Sequence, residues 1–183
     1  MEVNVKKFKY EMEDELKKGG IESAAFEASL ILIGLCGLSK FDLAVGNKTI
    51  NGRNAERVKK AVSRRISGYP LQYILGEWEF MSLPFKVTED TLIPRADTEV
   101  LCETGIEFLK DKHMPKALDL CCGSGCIGIS VAYYVKNAQV TLVELSDRAI
   151  EVAKKNCGLN GVSDRTEVKK DNVMCPEIVY GAY

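Results

Sequence analysis

The sequence predicts an α/β chain in three parts: an amino-terminal helical bundle, a β-hairpin, and the opening strands of a parallel sheet layered with helices. Three observations predict it. Apolar residues recur at helical spacing through the first 67 or so residues; the period drops to two over residues 77–87; and from Lys116 short apolar strands alternate with helices around a glycine-rich turn. The expected boundaries are a helical domain over 1–75, a hairpin linker over 76–95 and a sheet domain over 96–183.

In the first part, Val5, Phe8, Met12 and Leu16 share one helical face with charges between them, and Gly19-Gly20 supplies a stop that tolerates positive φ. Residues 23–36, "SAAFEASLILIGLC", are apolar on nearly every side, which suits the central helix of a small bundle. Asn54 is placed to cap a further helix carrying Val58, Ala61, Val62, Arg65 and Ile66.

After Gly68 the pattern changes. In "EWEFMSLPFKV", Trp78 and Phe80 fall on one face, and Leu83, Phe85 and Val87 alternate with Pro84 and Lys86. This predicts two strands joined near Met81-Ser82, with Pro84 holding its strand at an edge. Pro94 then breaks the chain, Asp97 or Thr98 caps, and Val100, Leu101, Ile106 and Leu109 mark a helix.

In the third part "KALDLCC" is a short strand, 127–135 a helix, "AQVTLVEL" a second strand, 147–157 a second helix and "RTEVKKD" a third strand. Such alternation implies parallel pairing with right-handed crossovers and a ligand at the carboxyl ends of the strands.

Composition narrows the function classes. The 183 residues hold 25 Lys+Arg against 26 Asp+Glu, a formal charge of -1, so overall counterion-release attraction to nucleic acid is not available. The start, "MEVNVKKFKYEMEDE", alternates charge where a signal peptide needs an apolar stretch, and the longest nearly apolar run, Ala28 to Leu38, falls short of a membrane span. Seven cysteines, an odd number with two adjacent, do not form a secreted disulfide framework, which points to a reduced, cytoplasmic chain. Cys121, Cys122 and Cys126 lack the paired C-x-x-C arms of a zinc site, and the single histidine, His113, sits in a charged connector, so no metal is expected.

The chemistry concentrates in "LDLCCGSGCIGIS", residues 118–130. Gly123-Ser124-Gly125-Cys126-Ile127-Gly128 matches the dinucleotide fingerprint G-x-G-x-x-G, and Glu144, nineteen residues after Gly125, stands where an acid would accept from ribose hydroxyls. A nicotinamide site and a methyl-donor site share those features. Two details favour the methyl donor: Cys121-Cys122 separate the strand from the first glycine, and Asp119 lies in the strand end, placed to orient an amino-acid moiety. Asp171-Asn172 ends the third strand, where a polar pair could recognise an adenine edge. Arg95 and Glu99 are compatible with bracing a loop over a cofactor or with an inter-domain salt bridge.

"GYPLQYILGEWEFMSLPFKVTEDTLIPRADTEVL", continuing into "LDLCCGSGCIGIS", resembles the release-factor glutamine methyltransferases of the HemK/PrmC family over essentially the whole chain. The resemblance implies a helical substrate-binding domain over 1–75 and the first half of a class I, Rossmann-like methyltransferase sheet. It also implies transfer of a methyl group from S-adenosylmethionine to the side-chain amide of the glutamine in the Gly-Gly-Gln motif of peptide-chain release factors. By position, Asp119 and the segment Cys121, Cys122, Gly123, Ser124 and Gly125 would cradle the methionine part, Glu144 the ribose, and Asp171 with Asn172 the adenine.

Cys121 stands where the family commonly has glycine, and an ordinary φ is expected there. The family's Asn-Pro-Pro-Tyr motif does not occur in the sequence, which ends in "CPEIVYGAY" where a fourth strand would begin. The expectation is therefore an incomplete piece, inactive alone, with an open edge on its first strand. Two alternatives stay open: a non-catalytic fragment that binds release factor, and an NAD-dependent oxidoreductase. No direct contact with nucleic acid or membrane is expected.

Overall fold

The computed structural model describes residues 2–175. Two compact units divide the chain, Met1–Leu75 and Gly76–Tyr183.

In the first unit α1 (Val5–Lys18) buries Val5, Phe8, Met12 and Leu16, the face its spacing predicts, and the Asn4 side chain caps it by accepting from the Lys7 N–H. The apolar α2 (Ala24–Cys36) packs against α1 and α4 (Gly52–Ile66) and ends at Gly37, whose φ of 66° favours a residue without a Cβ. One carboxylate is hidden in this bundle. Glu27, on α2, accepts from Arg65 Nε at 2.6 Å and Nη2 at 3.1 Å and from Ser23 Oγ at 2.9 Å. That pairing explains why Arg65 falls among the apolar positions of its helix: a buried charge needs a partner.

The cap of α4 is Asn51, whose side chain accepts from the Asn54 N–H, so Asn54 is the receiving residue and not the cap. Three-residue strands β1 (Glu2–Asn4) and β2 (Thr49–Asn51) pair antiparallel, and short helices α3 (Lys40–Val45) and α5 (Leu71–Leu75) complete the unit. None of these four short elements was predicted, because each is too brief to show a period.

The second unit opens with β3 (Glu77–Phe80) and β4 (Leu83–Lys86), an antiparallel hairpin. Its connection is the predicted pair, Met81 and Ser82, with φ of 52° and 57°, the double positive φ that a two-residue turn requires. The Glu99 carboxylate accepts from the Met81 N–H at 2.7 Å and Tyr134 Oη donates to the Met81 carbonyl at 2.6 Å. Phe80, Leu83 and Phe85 are buried in the same core as Ile129, Leu142 and Ala153. The segment expected as a linker thus has its apolar face inside this unit.

Helix α6 (Ala96–Leu109) has Arg95 at its N-cap position without a side-chain cap bond, so neither Asp97 nor Thr98 caps it. Its fully buried residue is Cys102, with Ile106 and Leu109 packed against the same core; of the four apolar residues that mark the helix, Val100 and Leu101 are 64% and 62% exposed. Beyond it β5 (Lys116–Leu120), β6 (Gln139–Glu144) and β7 (Thr166–Lys170) form a parallel sheet in that order, joined through α7 (Cys126–Tyr134) and α8 (Asp147–Leu159). Leu118 lies opposite Thr141, and Thr141 opposite Glu167, so the carboxyl ends of all three strands meet on one side. Among the described residues β5 has a neighbour on one side only. The region expected to begin a fourth strand, from Pro176 on, lies outside the described residues.

Candidate functional site

The site forms where the three strands end. After Leu120 the chain turns through Cys121 (φ 60°), Cys122, Gly123 (φ 55°), Ser124 and Gly125 (φ 79°) before α7 begins at Cys126. The Cys122 N–H donates to the Val143 carbonyl and the Gly125 N–H to the Cys122 carbonyl at 2.8 Å, closing a tight turn.

Cys121 departs from expectation. It adopts the left-handed conformation instead of an ordinary φ, because the chain must reverse within the residue that follows the strand. A Cβ there costs about 1–2 kcal/mol. Cys121 is exposed, whereas Cys122 is buried in the apolar core and its thiol is pushed up by that burial.

The glycines have separate reasons. A Cβ on Gly123 would meet nothing within 4 Å, so its backbone borders open space and it serves the positive φ. A Cβ on Gly125 would sit 2.8 Å from Ile129 Cδ1, and one on Gly128 3.0 Å from Asp119 Oδ2. These two let α7 approach β5 and β6 closely.

Two carboxylates converge on this turn. Asp119 Oδ2 accepts from the Gly128 N–H in the first turn of α7 at 2.9 Å. Burial raises its pKa to about 6, with the Glu144 charge adding to the rise and the Gly128 hydrogen bond opposing it. Glu144, at the end of β6, reaches across with Oε2 to accept from the Gly123 N–H at 2.9 Å, while Oε1 accepts from the N–H groups of Leu145 and Ser146 at 2.8 and 3.0 Å. It spans the ends of two strands and aligns the first glycine peptide.

Asp171, following β7, is buried; its N–H donates to the Glu144 carbonyl and its Oδ1 accepts from the Asn172 N–H. Asn172 is exposed, and its side-chain oxygen accepts from the Met174 N–H at 3.1 Å. Gly123, Glu144 and Asp171 are thereby linked through backbone and carboxylate bonds at one end of the sheet, with Asp119 tied beside them to Gly128 of α7. Arg95 is exposed, and Glu99 is engaged with the hairpin turn. Among the described residues no group of His, Cys, Asp and Glu side chains could hold a metal ion, and no helix is long and apolar enough to cross a membrane.

Two residues at the back of the site were missed by sequence reasoning. Asn156 on α8 and Asn160 at its C-cap, both buried, send their side-chain amides to the hairpin, and Asn156 also reaches Ser124. The available signal was Asn156 itself, a polar residue at the centre of an apolar helical face.

Such an arrangement can seat a ligand carrying a ribose and a charged amino-acid or phosphate group: glycine peptides approachable by a ligand, a helix N-terminus, and two acids at adjacent strand ends. The sequence is similar to two known families over matching stretches. Residues 11–76 match the PrmC N-terminal domain and residues 98–177 the methyltransferase small domain. A release factor glutamine methyltransferase of Moorella thermoacetica is 37% identical over 162 residues, covering 88% of this chain and 57% of the relative. One of Fusobacterium nucleatum is 37% identical over 151 residues, covering 81% and 43%. The chain thus spans about half the length of these curated relatives. A solved S-adenosylmethionine-dependent methyltransferase of Agrobacterium tumefaciens superposes with a TM-score of 0.46 at 23% identity, covering 54% of this chain and 33% of that one.

Proposed function

We propose that the chain is part of a release factor glutamine methyltransferase, as its similarity to those enzymes supports, and that its second unit holds S-adenosylmethionine at the turn Cys121 to Gly125. The whole protein then methylates the side-chain amide nitrogen of the glutamine in the Gly-Gly-Gln motif of release factors. The observation that carries this reading is the Glu144 carboxylate, fixed between the end of β6 and the Gly123 N–H. There it accepts from ribose hydroxyls on exchanging its backbone partners for them. Asp119 orients the amino-acid end of the ligand, and Asp171 with Asn172 borders the adenine.

The bound cofactor supplies a methyl group on a sulfonium, which leaves as a neutral thioether when the carbon–nitrogen bond forms and the amide gives up a proton. An amide nitrogen has a delocalised lone pair and is a poor nucleophile, so positioning and hydrogen bonds to its N–H groups must make it attack. In the family the Asn-Pro-Pro-Tyr motif does that work, and these 183 residues do not contain it. The chain accordingly contributes the cofactor cradle, and its helical unit, residues 1–75, contacts the release factor.

The test is incubation with S-adenosylmethionine and a purified release factor, followed by mass spectrometry of the Gly-Gly-Gln peptide. The proposal expects no methylation by the 183 residues alone and methylation by a version extended through an Asn-Pro-Pro-Tyr segment. Methylation by the 183 residues would overturn the assignment of the chemistry to that motif. Failure of the extended version would overturn the activity.

A further inference from the structure

We propose that Asn156 is a positioning residue: one buried amide that locks strand β4 of the hairpin to the glycine turn and so sets how tightly that turn holds its nucleoside ligand. The ligand part rests on the cofactor reading above; the mechanical part stands without it.

Helix α8 buries Ala149, Ile150, Val152, Ala153 and Cys157. Asn156, 0% exposed, interrupts this apolar face. A primary amide placed there without partners would be strongly destabilising, so its bonds indicate why it is tolerated. Oδ1 accepts from the Lys86 N–H at 2.7 Å, and Nδ2 donates to the Lys86 carbonyl at 3.0 Å and to the Ser124 carbonyl at 2.9 Å. Both backbone groups of Lys86 are therefore taken by one side chain. The amide occupies the place of a neighbouring strand's peptide along the free edge of β4, and its remaining N–H crosses to the glycine turn.

The consequence lies in the Ser124–Gly125 peptide. On its Gly125 side this peptide meets a glycine at φ 79°, where no Cβ opposes the alternative orientation. Here both of its polar ends are held: the Ser124 oxygen by Asn156, and the Gly125 N–H by the Cys122 carbonyl at 2.8 Å. Gly125 is also the residue at which α7 starts, so this peptide sets the direction of the helix's first N–H groups. Asparagine suits the position by inventory, since one acceptor and two donors at that reach are not available from Asp, Ser or Leu. Asn156 thus forms a direct hydrogen-bonded link from the hairpin to the cradle.

Asn160, at the C-cap of α8, provides a matched control. Its Nδ2 donates to the Pro84 and Asn156 carbonyls at 3.0 and 3.1 Å, so it holds the hairpin without a bond to the glycine turn. The experiment compares Asn156→Ala and Asn160→Ala in the full chain by titration with S-adenosylhomocysteine, by thermal melting, and by amide hydrogen exchange at Gly125. Should Asn156→Ala not fold, Asn156→Ser, which replaces at most one of the three bonds, serves instead.

Both variants are expected to melt lower. Only the Asn156 variant is expected to bind about tenfold more weakly, as loss of a buried hydrogen bond implies, and to exchange faster at Gly125. Unchanged binding and exchange in the Asn156 variant, or equal losses in both variants, would overturn the proposal. If the wild-type chain bound no S-adenosylhomocysteine, the cofactor reading would fall with the ligand part, and exchange at Gly125 would by itself decide the mechanical link.

Discussion

Asp119, near the end of β5, and Cys121, just beyond it, each hold a conformation or charge state that costs stability at the site. The left-handed φ of Cys121 is disfavoured for any residue with a Cβ, while glycine adopts it freely. Cys121→Gly should therefore stabilise the chain by about 0.5–1 kcal/mol once the larger backbone entropy of glycine in the unfolded state is subtracted. Urea denaturation measures this, and a loss of stability would show that the thiol makes a compensating contact. Asp119 carries a carboxyl whose folded pKa, about 6, lies above its unfolded value near 4. Its contribution is fully favourable below about pH 4 and is lost as the pH rises through about 6. The loss is at most about 3 kcal/mol. Asp119→Asn keeps an acceptor for the Gly128 N–H and removes the charge. It should melt like wild type near pH 4 and higher than wild type above pH 7, with weaker cofactor binding. Equal melting at both ends of the range would contradict the buried-charge account. The sequence pointed to these residues because glycine spacing and acids at strand ends are local patterns. The φ of Cys121 and the reach of Glu144 to Gly123 depend on where two strands end in space, and no local pattern carries that.

At the scale of elements, what was legible followed period and length. Helix α1, the hairpin with its turn at Met81-Ser82, and the strand–helix alternation from Lys116 all show the period their environment imposes. Helix α6 was legible as a helix but not in its orientation: the face that packs carries Cys102, Ile106 and Leu109, while Val100 and Leu101 face outward. Caps were misplaced by two or three residues, since Asn51 and Asn54, or Arg95 and Asp97, compete for nearby positions and only geometry chooses. The hairpin turn is held by Glu99 from α6 and Tyr134 from α7, contacts distant in sequence. Glu99→Ala should destabilise the chain by about 1–2 kcal/mol by leaving the Met81 N–H without its acceptor, whereas Glu99→Gln retains most of that stability. Chemical denaturation of the two variants distinguishes them, and equal losses would show that the charge and not the hydrogen bond matters.

For the molecule as a whole, the sheet is the decisive structure, because it brings Asp119, Gly123, Glu144 and Asp171 to one end from segments spread over residues 119–171. Strand β6 has a neighbour on each side while β5 and β7, among the described residues, have one. Amide exchange should therefore be slowest in β6, with the outward-facing amides of β5 exchanging faster. Uniform protection across β5 and β6 would reveal a further partner along the β5 edge. The central claim is that the turn from Cys121 to Gly125 and the Glu144 carboxylate seat an adenosyl amino acid. Calorimetric titration of the wild-type chain and of Glu144→Ala with S-adenosylhomocysteine and with NAD tests it most directly. The account predicts saturable S-adenosylhomocysteine binding by the wild type, weakened at least about tenfold by Glu144→Ala as expected for lost charge-assisted hydrogen bonds, and no NAD binding. NAD binding without S-adenosylhomocysteine binding, or equal affinity in the variant, would contradict it.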